Sequence, residues 1–99
     1  MVKADLETDL DFRRVLLGEA VACTVAGDLE TGKIALRECV NGTMGFLNLG
    51  EALGRSPKSL MRMLSPTGDS QAWYLFEMVA YLQKADGTVL EVNAKTAAA

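Results

Sequence analysis

Between Ser56 and Leu64 the chain reads Ser-Pro-Lys-Ser-Leu-Met-Arg-Met-Leu, and its two cations, Lys58 and Arg62, stand four residues apart. On a helix that spacing puts both on one face. Ser56 is a good N-cap, and Pro57 fits the first helical position because its missing N–H has no intrahelical partner there. Placing Pro57 at zero and adding about 100° per residue puts Leu60, Met63 and Leu64 on one side. Lys58, Arg62 and, less squarely, Met61 fall on the other. The chemistry on offer is recognition of an anionic partner by an exposed basic face. Catalysis is not expected: the chain has no histidine, and Cys23 and Cys39 lack metal-ligand spacing. No zinc site, His-based triad or cofactor is therefore implied, and the protein is not read as an enzyme.

A helix that short needs neighbours to hold it. Immediately upstream, Phe46, Leu49 and Leu53 recur three or four residues apart, and Gly54 follows where a left-handed C-terminal residue is wanted. Residues 45–68 thus outline a helix-turn-helix. The net charge of −3 hides a regional split: −4 over residues 1–31, +3 over 32–64 and −2 over the remainder. The positive region holds Lys33, Arg37, Arg55, Lys58 and Arg62 against Glu38 and Glu51. Local sign matters more than the total for a partner that meets one face.

The flanking elements follow from the same periodicity. Residues 1–10 are acidic, weakly patterned and expected to be disordered. Phe12, Val15, Leu16, Ala20 and Cys23 predict a first helix over 11–26, capped by Asp11 and stopped by Gly27. Asp28 then caps a second helix running to about Val40, with Leu29, Leu36, Cys39 and Val40 inward and Ile34 on the opposite face. After Pro66-Thr67-Gly68 a last helix buries Leu75, Met78, Val79 and Leu82, widened by Phe76 and Tyr81, and Asp86-Gly87 closes it. Thr88 to Val92 alternates as a short β-strand, which either packs as an extended tail or, the option favoured, pairs with its copy in a second subunit. Residues 94–99 are a small-residue tail, also expected to be disordered.

The run LGEALGRSPKSLMRMLSPTG, residues 49–68, resembles the Xre/Cro-like helix-turn-helix proteins, in particular the antidote (antitoxin) proteins of addiction modules and related stand-alone regulators. The specific part is SPKSLMRMLSP with Gly54 before it and Ser-Pro-x-Gly after it. The resemblance spans about residues 12–92 and implies an all-α, five-helix Cro/repressor-like domain over 11–93 with a short C-terminal β-strand. It implies double-stranded DNA as partner, a homodimer, and a cognate toxin protein as a further partner. Residues 56–64 then correspond to the recognition helix, with Ser56, Pro57 and Lys58 nearest the bases and Arg62 one turn on. Arg62 has the planar fork that pairs bidentately with guanine, and Lys58 reaches guanine or phosphate. Ser59 would touch a phosphate, and Met61 would meet a thymine methyl group or simply cover the helix flank. Asn48 and Gln71 would bond the DNA backbone near helix starts, and Arg55 would offer a further phosphate contact.

The chain departs from the family pattern at three places. Gly50 stands where alanine is usual, which loosens its helix by up to ~1 kcal/mol while letting the helices approach closely. Arg55 replaces an apolar turn residue, which either exposes that phosphate contact or leaves a small gap in the core, and Asp69 replaces an asparagine. The functional expectation is a dimeric, sequence-specific transcriptional repressor of a near-palindromic operator. The alternative is a protein-interaction module that neutralises a toxin, with DNA secondary. The acidic N-terminus shows no secretory signal pattern and no apolar run approaches a membrane span, so a cytoplasmic location without membrane partners is expected.

Overall fold

The computed structural model describes residues 10–68 and 72–97 and folds them into five helices: α1 Leu10–Val25, α2 Leu29–Thr43, α3 Gly45–Leu53, α4 Pro57–Met63 and α5 Ala72–Asp86. The chain is all-α, and the element order is the one the periodicity predicts. Except for Leu10, the expected disordered N-terminus lies outside the described residues, as do the last two residues of the tail.

The local signals act where they stand. The Asp28 carboxylate accepts the Thr31 N–H at 3.2 Å and starts α2. The Ser56 hydroxyl accepts the Ser59 N–H at 3.1 Å and starts α4 with Pro57 in its first turn. Each such cap is worth about 1 kcal/mol, which matters most for a helix as short as α4. Between α3 and α4, Gly54 adopts φ 70°, a left-handed conformation that other residues hold only under strain.

α1 and α2 form the most extensive helix pair. Their crossing explains why the predicted inward stripe of α1 is rotated. Val15 is 66% exposed and Phe12 is also largely outside, whereas Leu17 and Ala20 are buried. A Cβ on Gly32 of α2 would stand 2.5 Å from Thr24 Oγ1 and 3.1 Å from the Ala20 carbonyl oxygen. Small residues therefore set the crossing point, and Phe12 and Val15 turn away from it. Leu29 and Phe76, expected inside, are likewise exposed, while Ile34 is exposed as predicted.

α3 and α4 dock through Leu49, Leu60, Met63 and Leu64, and α5 closes the core with Leu75, Met78, Val79 and Leu82. The C-terminal end of α5 is tied to α1 by a two-pronged ion pair: Arg13 Nε and Nη2 donate to the Asp86 carboxylate at 3.3 and 3.2 Å. The predicted strand over 88–92 is not formed, and no strand occurs among the described residues. Its backbone is spent differently. The Thr88 N–H donates to the Gln83 carbonyl at 2.9 Å, ending α5, and the Leu90 N–H donates to Gln83 Oε1 at 2.9 Å. Arg14 Nε donates to the Thr88 hydroxyl at 2.7 Å. An alternating segment with no ladder partner takes hydrogen bonds from the nearest helix instead.

Gly50 has a reason to be glycine. A Cβ there would stand 2.5 Å from the Arg55 carbonyl oxygen and 3.4 Å from Pro57 Cδ, across the turn. The Arg55 N–H closes the same turn by donating to the Gly50 carbonyl at 2.9 Å. Replacing Gly50 by alanine adds helix propensity of up to ~1 kcal/mol but forces an overpacking cost of about 1–3 kcal/mol. The expected net loss of about 1–2 kcal/mol lowers Tm by roughly 4–16 °C. A thermal melt with an unchanged or raised Tm would show that the turn relaxes freely.

Candidate nucleic-acid interface

α4 is held from within by Leu60 and Met63 and presents Lys58, Met61 and Arg62 to solvent. Neither Lys58 nor Arg62 has an ion-pair or side-chain hydrogen-bond partner among the described residues. Met61, 47% exposed, lies beside them. Two cations with no partner among the described residues and a thioether one turn of helix apart make a face with long-range attraction for anions and an apolar spot for short-range contact.

The other three cations of the positive stretch are committed elsewhere. The buried Lys33 ammonium donates to the Gly68 carbonyl at 2.8 Å and the Ser65 carbonyl at 3.4 Å. Arg37 Nη2 donates to the Leu64 carbonyl at 3.2 Å. Arg55 stacks its guanidinium 4.0 Å from the centre of the Tyr74 ring and pairs with Glu77 at 3.4 Å. Both contacts are half-open to water, so the ion pair contributes at most about 1 kcal/mol. The regional charge of +3 thus overstates what this surface presents to a partner.

The remaining sequence-predicted residues are placed as follows. Ser56 is exposed, with its hydroxyl accepting the Ser59 N–H, while Pro57 and Ser59 are half-buried. Asn48 is exposed on α3, and its side-chain amide donates to the Met44 carbonyl at 2.8 Å. Because α3 begins at Gly45, the helix-start N–H groups lie upstream of Asn48, at Gly45 to Leu47. Gln71 lies outside the described residues. α4 therefore gathers Lys58, Met61 and Arg62 on one short element with Ser56 as its N-cap, and Arg55 is directed toward α5.

Regional charge alone does not distinguish Lys33 and Arg37 from the exposed cations. A signal was present: on the α2 wheel both fall at the edge of the Leu29, Leu36 and Val40 stripe, where a cation needs a partner. Neither thiol is poised as a nucleophile. Burial, with Asp86 nearby, pushes Cys39 up to about 11. Partial burial and the Glu19 and Asp28 carboxylates raise Cys23.

No protein-family model, curated protein or solved structure matches the chain. Among the described residues no helix is long and apolar enough to cross a membrane.

Proposed function

We propose that the chain is a sequence-specific DNA-binding regulator, a repressor of the antitoxin-like kind, that inserts α4 into the major groove. The observation that carries this reading is the pairing pattern of its cations. Lys33, Arg37 and Arg55 are spent on the protein itself, whereas Lys58 and Arg62 stand exposed, with no partner among the described residues, on a helix capped at its start and tied down at its end. The resemblance of residues 49–68 to Xre/Cro-like regulators supports the same assignment. Arg62 reads a guanine through its two-pronged guanidinium, Lys58 engages a guanine or the adjacent phosphate, and Met61 covers a thymine methyl group. Gly45 to Leu47 offer backbone N–H groups to a phosphate. Two copies bind half-sites one helical turn apart. Arg55 supports the scaffold in this reading rather than touching DNA.

Selection of duplexes from a random pool tests it. Purified protein is expected to enrich a near-palindrome with a guanine at a fixed position in each half-site. Its binding is expected to weaken with added salt by a log–log slope of about −0.9 per phosphate engaged. A pool that emerges without sequence bias overturns the proposal.

A second reading, a protein-contact module of the toxin-neutralising kind, is favoured by one observation. Trp73, 66% exposed, and Phe76 lie one turn apart on the outer side of α5, and Ile34 is exposed on α2. Exposed aromatic anchors of this kind are typical of protein interfaces. The two readings use different surfaces and can both hold.

A further inference from the structure

Lys33 is the one buried charged residue among the described residues, 6% exposed and in the second turn of α2. Its ammonium reaches across to the carbonyls of Ser65 and Gly68, and Arg37, one turn further on, reaches the carbonyl of Leu64. Both cations thus serve the segment that ends α4. That segment folds back on a single backbone group. The Ser65 hydroxyl and N–H both donate to the Arg62 carbonyl, at 2.8 and 3.1 Å. Gly68 lies so close to the same carbonyl that a Cβ would collide with it. A connected path therefore runs from the buried ammonium through Ser65 to the backbone of Arg62.

Taking an ammonium out of water is costly, and an apolar side chain of similar length fills the same space without that cost. What the charge supplies here is geometry. Its donors can be satisfied only if two carbonyls of the loop converge on one point, which fixes the loop and with it the last turn of α4. Attraction between these cations and the C-terminal carbonyls of α4 acts in the same direction.

We propose that Lys33 is a positioning residue for Arg62, holding the guanidinium of α4 at the angle needed for two-pronged base contact although it never touches DNA itself. The inference rests on the DNA reading above, and a double-mutant cycle separates the two. Wild type, Lys33→Met, Arg62→Ala and the double variant are titrated at one salt concentration against the duplex selected by the wild type. If Lys33 acts through Arg62, Lys33→Met weakens binding about tenfold in the wild-type background and less than about twofold once Arg62 is gone. General loosening of the fold instead weakens binding by the same factor in both backgrounds, and that additive result overturns the proposal. Should Lys33→Met not fold, Ser65→Ala breaks the same path at its hydroxyl and carries the cycle, with an expected loss of about threefold that again vanishes without Arg62. A wild type that selects no duplex overturns the DNA reading and this role together. A wild type that selects one, followed by an additive cycle, overturns this role alone.

Discussion

A Lys58→Ala/Arg62→Ala double variant is expected to bind the selected duplex with a free-energy loss of about 2–6 kcal/mol, at about 1–3 kcal/mol per base contact, while remaining fully folded. The two halves of that expectation have separate physical causes. Both side chains are exposed and without partners among the described residues, so no internal contact is lost. They are also like charges at i and i+4, and removing them relieves a repulsion of about 0.2–0.5 kcal/mol. Tm should therefore hold or rise slightly as binding collapses. The single variants divide the roles. Arg62→Ala should erase the preference for guanine at one position of each half-site. Lys58→Ala, if its partner is a phosphate, should weaken all sequences alike and make the salt slope shallower by about 0.9. Fluorescence anisotropy over a range of salt concentrations reads both quantities. An unchanged dissociation constant and slope in the double variant would remove α4 from the interface, and the Trp73 and Phe76 surface would become the leading candidate for function.

The same cations show where sequence reading works and where it stops. The end of α3 and the start of α4 are legible because Gly54, Ser56 and Pro57 act locally, within three or four residues of where they stand. The outward position of Lys58 and Arg62 is legible because a helix of known phase fixes it. The fates of Lys33, Arg37 and Arg55 are not, because their partners lie 32 to 35, 27 and 22 residues away along the chain. Counting charge by region treats all five cations as equivalent, and only tertiary contacts separate the two that have no partner among the described residues. The rotated face of α1 fails to show in the sequence for a related reason. Periodicity assumes that the largest apolar residues face inward, but the approach of α1 to Gly32 is decided by what is smallest. The strand expected over 88–92 rested on alternation alone, and alternation does not supply a partner. Gln83, whose carbonyl and side chain accept the Thr88 and Leu90 N–H groups, supplies one in its place.

Gly68→Ala is expected to be the most destabilising small substitution in the loop that follows α4, at about 3 kcal/mol, or a fall in Tm of roughly 12–24 °C. The added Cβ runs into the Arg62 carbonyl, a backbone group of a helix that cannot turn aside as a flexible side chain would. The loop must move instead, and moving it draws the Gly68 carbonyl away from the Lys33 ammonium it accepts at 2.8 Å. A buried cation then loses its better acceptor, so the steric cost and the electrostatic cost arrive together. Two controls isolate the cause. At Gly54 a Cβ meets nothing within 4 Å, and alanine suffers only the left-handed backbone at φ 70°, about 1–2 kcal/mol. At Gly18, inside α1 and equally open, alanine should gain about 0.5–1 kcal/mol from helix propensity. The order Gly18→Ala above wild type, Gly54→Ala below it and Gly68→Ala lowest is the expected result of denaturant melts. If Gly68→Ala matched Gly54→Ala, the loop would be free to shift without disturbing Lys33. The tie between the buried ammonium and the backbone of Arg62 would then carry no energy.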